Sequence, residues 1–211
     1  MRSLNPLGSR SSSPRSDIVW HLPHDVTEIP AHVRDQFVLA DEELAQEIPC
    51  MTDHATAQLF GLDPDDPAVV RSTVSRLVVD VERFPGDADE PMAERGMGVI
   101  YQAASDGRPL RRPLSTRQLQ TLLDEWYWPH HQNPEAAVGR ALERHGHCLL
   151  IDCHSFPSGP LPYEPDQNPA RPDAPVRAAV ISIVAVIVRL TLTIAIWATR
   201  PGLVTIWSPR G

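Results

Sequence analysis

The chain has 211 residues, a formal net charge of −8, 42% hydrophobic and 22% charged residues, which suits one or two folded domains and excludes wholesale disorder. An acidic chain whose longest basic run is Arg111-Arg112 lacks the electrostatic footprint of a nucleic-acid binder. Its three cysteines, Cys50, Cys148 and Cys153, are too scattered for a disulfide framework or a CxxC zinc site, and point to reducing, cytoplasmic surroundings.

Residues 1–16 are rich in Ser, Arg and Pro and read as a disordered lead without the apolar stretch of a signal peptide. Asp17 to Leu22 is a short apolar run ended by Pro23, which predicts a buried strand and a following loop. Short helical patterns follow over 41–48 and 52–60, and Arg76 to Val81 is a β-branched run that predicts a second strand, stopped by the turn residues Phe84-Pro85-Gly86. From Ser115, a plausible N-cap, Leu119, Leu122, Leu123 and Trp126 recur at helical spacing. Pro129 is expected to interrupt that helix, and Asn133-Pro134-Glu135 to start another that ends at Gly146. Cys148 to Cys153 reads as a fully buried strand. Strands alternating with helices predict an α/β fold, a mostly parallel or mixed sheet with flanking helices, in which chemistry sits past the carboxyl ends of strands. Pro23-His24 and His154-Ser155 fall at two such ends.

Nine histidines are present, and most sit where a surface or satisfied imidazole is the default. His24 differs because it follows a strand and opens a polar turn containing Asp25 and Glu28. His154 differs because it closes the most hydrophobic run of the first 173 residues, where an imidazole costs desolvation unless a cleft or ligand takes it up. Asp53 lies at a helix start. Two histidines and one carboxylate from separate strand-end loops make the ligand count of a catalytic zinc site with an open fourth position. No HExxH helix or GxSxG elbow is present. A Cys153–His154 dyad is disfavoured, since neighbours on a strand point to opposite faces.

Leu22 to Pro30 (LPHDVTEIP) resembles the "PHSGTEIP" opening of the N-formylglutamate amidohydrolase family. Thr52-Asp53 with Leu59-Phe60 is similar to its "DTDWHVDRLY" segment, Val78 to Pro85 to its "VVDLNRFP", and Gly96 to Tyr101 to its "GxGVIY". Ile151 to Ser158 (IDCHSFPS) is the strongest match, with Pro160-Leu161-Pro162 and Arg171-Pro172-Asp173 after it. The resemblance implies a zinc carboxypeptidase-like core and hydrolysis of an N-formyl or N-acyl amino acid amide, typically N-formyl-L-glutamate to formate and glutamate in histidine degradation. It implies Zn2+ as cofactor, a small acidic acyl-amino acid as partner, and His24 and His154 as metal ligands. The third ligand is Glu28 or Asp53, with Asp53 preferred and Glu28 then serving as the catalytic carboxylate. Arg83 would clamp the substrate carboxylate, its alternative being an ion pair with Asp80 or Glu82. Met51 replaces the first Asp of "DTD", and Val26 replaces the Gly of "PHSG", which would strain the loop if that glycine needed a positive φ.

The charge pattern breaks at Asp173. All 27 acidic residues lie at or before it, and residues 174–211 carry four Arg and no acid. The "GTDxxHTP" block and the late Glu-bearing strand expected next in the family do not follow. The lead (1–16), an amidohydrolase-like domain (17–176) and a hydrophobic tail (177–211) are thus the expected divisions. Residues 178–198 contain a single charge, Arg189, and are long enough to cross a bilayer. Within them Leu190 to Trp197 alternates as a strand would. Out-of-frame translation or truncation, a genuine membrane anchor, and divergent buried strands all fit the tail. The first would leave a core that binds zinc or an acidic ligand without turnover. The second would make the chain membrane-associated.

Overall fold

The computed structural model describes residues 17–155 in full and, beyond them, the backbone of three strands; residues 1–16, the family-like blocks from 156 to 173 and most of the alternating run 190–197 lie outside the described residues. The main sheet has the order β2-β1-β3-β4, built from β1 (Ile18–Leu22), β2 (Val69–Arg71), β3 (His147–His154) and β4 (Ser182–Arg189). β1 runs parallel to β2 and to β3, with Ile18 opposite Leu149 and His21 opposite Asp152. β4 pairs antiparallel with β3, and β5 (Ala195–Thr199) pairs antiparallel with β6 (Leu203–Trp207) in a separate ribbon. The expected α/β fold is therefore observed. No helix among the described residues is long and apolar enough to cross a membrane.

Strand parity divides the sheet into two working faces. Val19, Cys148 and Leu150 point to one side and pack with Ala137 and Ala141 of α4 (Trp128–His145). Ile18, Trp20, Leu22, Ile151 and Cys153 point to the other and pack with Ala57 and Phe60 of α2 (Thr56–Phe60). On α4 the buried residues His130, Pro134, Ala137 and Ala141 follow helical spacing, so one stripe of the helix lies on the sheet. A third cluster joins α1 (Asp41–Cys50) and the Val74–Tyr101 segment to Leu122 and Trp126, and Met51 is buried in it.

Two local expectations are corrected. Arg76 to Val81 is buried but forms turns rather than a strand: the Val78 amide bonds back to Ser75, and the Leu77 and Val78 carbonyls accept from Arg111 Nη2 at 2.6 and 3.2 Å. A buried guanidinium thus takes the place of a neighbouring strand. Pro129 does not interrupt the helical segment, and Asn133 does not restart it. After α3 (Thr116–Leu122), with Ser115 as N-cap, Leu123–Tyr127 forms one π-helical turn that leads directly into α4. There the Trp128 amide reaches back to Leu123. The wider turn relieves the clash a proline ring would make with the carbonyl four residues earlier.

Gly96 has φ +70°, and a Cβ there would lie 2.9 Å from Ala103 Cβ, while its carbonyl accepts from the amides of Gln102 and Ala103. Gly96→Ala should therefore destabilise the fold by about 1–3 kcal/mol, read as a lower midpoint in thermal unfolding. Substitution at the open Gly139 has no such clash, since a Cβ there meets nothing within 4 Å.

Candidate metal centre

The carboxyl ends of β1 and β3 deliver His24 and His154 to the same place, with ring centroids 5.3 Å apart. The loop before α2 brings Asp53 between them. Its amide donates to the His24 carbonyl at 2.9 Å, its carbonyl accepts from Thr56 Oγ1 at 2.8 Å, and Thr56 in turn meets Ser155 Oγ at 3.2 Å. Ala55, next in that loop, has φ +58° and is the one non-glycine residue with positive φ among those described; Val26 does not adopt that conformation.

Asp53 Oδ2 lies 2.8 Å from His154 Nδ1 and 4.0 Å from His24 Nδ1. The opposite nitrogens are held by buried carboxylates. His24 Nε2 meets Asp80 Oδ1 at 2.9 Å, and His154 Nε2 meets Asp152 Oδ2 at 3.3 Å; the Asp80 and Asp152 residues are 0% and 1% exposed. Glu82 spans both imidazoles, with one oxygen 3.4 Å from His24 Nε2 and the other 3.3 Å from His154 Nε2. Sequence reasoning missed Asp152 and gave Asp80 and Glu82 only as alternative ion-pair partners of Arg83. The signal for them is structural: parity places Asp152 with His154 on one face, and the turn at Asp80 folds Glu82 back toward the imidazoles.

Asp80 is a hub. Oδ2 accepts from Arg76 Nη2 at 2.7 Å and Tyr101 Oη at 2.7 Å, Oδ1 accepts from the Glu82 amide, and Arg83 Nε approaches to 3.4 Å. Burial alone would raise its pKa, but Arg76, His24 and Arg83 hold it well below the usual carboxylate range. Around His154, burial disfavours the cation, yet Glu82, Asp152 and Asp53 hold the imidazolium well above its ordinary value.

Arg83, expected to clamp substrate, has its Nη1 3.5 Å from Glu90 in addition to its contact with Asp80. Glu28 is exposed, with its backbone carbonyl accepting from the Ser75 amide at 2.8 Å; the carboxylates that meet the two imidazoles are Asp53, Asp80, Glu82 and Asp152. Cys153 is no thiolate nucleophile: burial pushes its thiol up to about 12. Ser155 Oγ donates to the His54 carbonyl.

The donor set fits a divalent cation. Four carboxylates surround two imidazoles, and after the guanidiniums of Arg76 and Arg83 on Asp80 are counted the negative charge left over is what a divalent cation would balance. Zinc bonds of about 2.0–2.2 Å in tetrahedral array put ligand atoms about 3.3–3.6 Å apart, and the two Asp53–Nδ1 separations of 2.8 and 4.0 Å bracket that value. A carboxylate on the outward nitrogen of each imidazole is the usual support of a ligating histidine. Among the described residues, the group of donor atoms at this centre that lies close enough together to hold an ion is His24, Glu82 and His154, without Asp53.

A family model described as N-formylglutamate amidohydrolase matches residues 16–181. Among solved structures, the crystal structure of N-formylglutamate amidohydrolase from Ralstonia eutropha JMP134 is similar, with a TM-score of 0.57 and 22% sequence identity over 67% of this chain. That match spans about half (54%) of the other protein's length and speaks for the fold. Comparison with curated proteins found no match.

Proposed function

Because the chain belongs to the N-formylglutamate amidohydrolase family, we propose that it is built for metal-dependent hydrolysis of an N-formyl or N-acyl amide on a small acidic amino acid, N-formyl-L-glutamate being the type substrate. The observation that carries this reading is the convergence of His24, Asp53 and His154, with their Nδ1 atoms toward Asp53 and their Nε2 atoms on buried carboxylates. In this reading those three residues hold Zn2+, which when bound supplies Lewis acidity toward the acyl carbonyl and toward water.

The protein's own part is orientation and proton handling. Asp80 and Asp152 fix the two ring planes, so the ligand atoms are set before the metal arrives. Glu28, exposed in the turn that follows His24, is the carboxylate assigned to move a proton from water to the leaving amine. Glu82, already between the two Nε2 atoms, is its competitor; kcat should fall about 10²–10⁴-fold in whichever of Glu28→Gln and Glu82→Gln removes the proton carrier. Arg83 is assigned to the substrate carboxylate.

The direct test is formate release from N-formyl-L-glutamate by the full chain. Activity lost to a chelator and restored by Zn2+ is the expected result, and formate release that persists in the chelator would remove the metal from the reading. One observation favours a second reading, metal binding without turnover: Arg83 is already engaged by Asp80 and Glu90. Stoichiometric zinc binding with no formate release would select it.

A further inference from the structure

Behind His154 a line of buried polar groups runs along the sheet face to α4, and the reading above uses only its first member, Asp152. Asp152 bridges two imidazoles: Oδ2 lies 3.3 Å from His154 Nε2, and Oδ1 lies 2.8 Å from His21 Nδ1. His21 Nε2 in turn lies 2.8 Å from His130 Nε2 on α4. His21, Asp152 and His130 are 5%, 1% and 6% exposed. Three structural facts bring them together. The β1–β3 register places His21 opposite Asp152. Parity puts both on the face that α4 covers. The buried stripe of α4 begins at His130.

We propose that His130, His21 and Asp152 form a positioning chain that fixes the orientation of His154 for metal binding. Resting on the metal-centre reading, it extends the support of His154 beyond its immediate carboxylate partner. Both nitrogens of His21 have a partner, so the ring cannot swing, and Asp152 is held at both oxygens. Asp152, fixed in this way, presents Oδ2 to His154 Nε2 and leaves Nδ1 toward Asp53.

His21, Glu82 and Asp152 also form a close group of donor atoms, which raises the alternative of a second ion. The contacts argue against it. Both nitrogens of His21 are already taken, Nδ1 by Asp152 and Nε2 by His130, and the second oxygen of Asp152 meets His154.

Zinc affinity of the full chain, measured by competition with a chromophoric chelator, tests the chain without any assay of catalysis. His130→Leu keeps apolar packing and removes the contact to His21; Asp152→Asn keeps shape and removes the charge; His130→Gln keeps a polar group at the contact. His130→Leu and Asp152→Asn should each weaken zinc binding about 10–100-fold, the usual effect of losing an outer partner, and His130→Gln should recover most of the loss. Thermal unfolding is followed alongside, and if His130→Leu does not fold, Asp152→Asn against His130→Gln carries the comparison. Equal zinc affinity in folded variants and wild type would overturn the positioning chain while leaving the metal centre intact. Two ions per wild-type chain, falling to one in His21→Leu, would replace it with a second metal site. A wild-type chain that binds no zinc would remove both this inference and the reading it rests on.

Discussion

His154→Ala should abolish zinc binding and formate release together. The imidazole sits at the end of β3, with Nδ1 2.8 Å from Asp53 and Nε2 3.3 Å from both Glu82 and Asp152. Removing it deletes one of three proposed ligands and leaves three carboxylates facing one another. The loss of affinity should therefore exceed the about 10–100-fold that an outer partner is worth. Losing the metal's contribution of several kcal/mol corresponds to a rate loss on the order of 10³-fold or more. His147→Ala is the matched control: it lies at the other end of the same strand, exposed, with its Nε2 3.3 Å from Asp17. Isothermal titration with Zn2+ and a formate assay on both variants check the pair. Unchanged zinc stoichiometry in His154→Ala would take His154 out of the ligand set.

What the sequence reveals of this architecture is what local pattern and chain order encode. β1 and β3 are apolar runs ended by Pro23 and by His154-Ser155, and their ends lie where the site forms. Arg76 to Val81 looks like a strand because it is apolar and buried, but burial there comes from Arg111 satisfying its carbonyls from 34 and 33 residues away. Pro129 looks like a helix stop because the π turn that accommodates it leaves no compositional trace. The three-residue β2 has no periodicity to find. The same divide runs through the site. His24 and His154 stand out because polar rings at strand ends need an explanation. His21, Asp152 and His130 do not, because their meeting depends on a register joining residues 131 positions apart and on which stripe of α4 faces the sheet. Asp80 is hidden inside an apolar run and acquires meaning only when Arg76, Tyr101, His24 and Arg83 gather round it.

That gathering makes Asp80 the position with the largest expected effect on folding. Asp80→Ala leaves Arg76, Arg83 and the Tyr101 hydroxyl without the carboxylate they share, in a place where Asp80 itself is fully buried. Removing one partner of a buried ion pair costs about 3–5 kcal/mol, a large share of the 5–15 kcal/mol that holds a typical domain. The pH dependence follows from the direction of the shift. Asp80 is held well below its ordinary value of 3.8, so its contribution is present above that value and fades as pH falls through the lower folded-state pKa. His154 is held well above 6.5, so in the chelated protein its contribution is present below 6.5 and fades as pH rises through the higher folded-state value. The metal-free fold should thus be most stable between the two, and Zn2+ should extend stability on the alkaline side by replacing the proton on His154. Urea unfolding followed across pH, with and without chelator, checks both limbs. In Asp80→Ala the acid limb should flatten, and an acid limb identical to that of wild type would show that Asp80 is not the carboxylate that sets it.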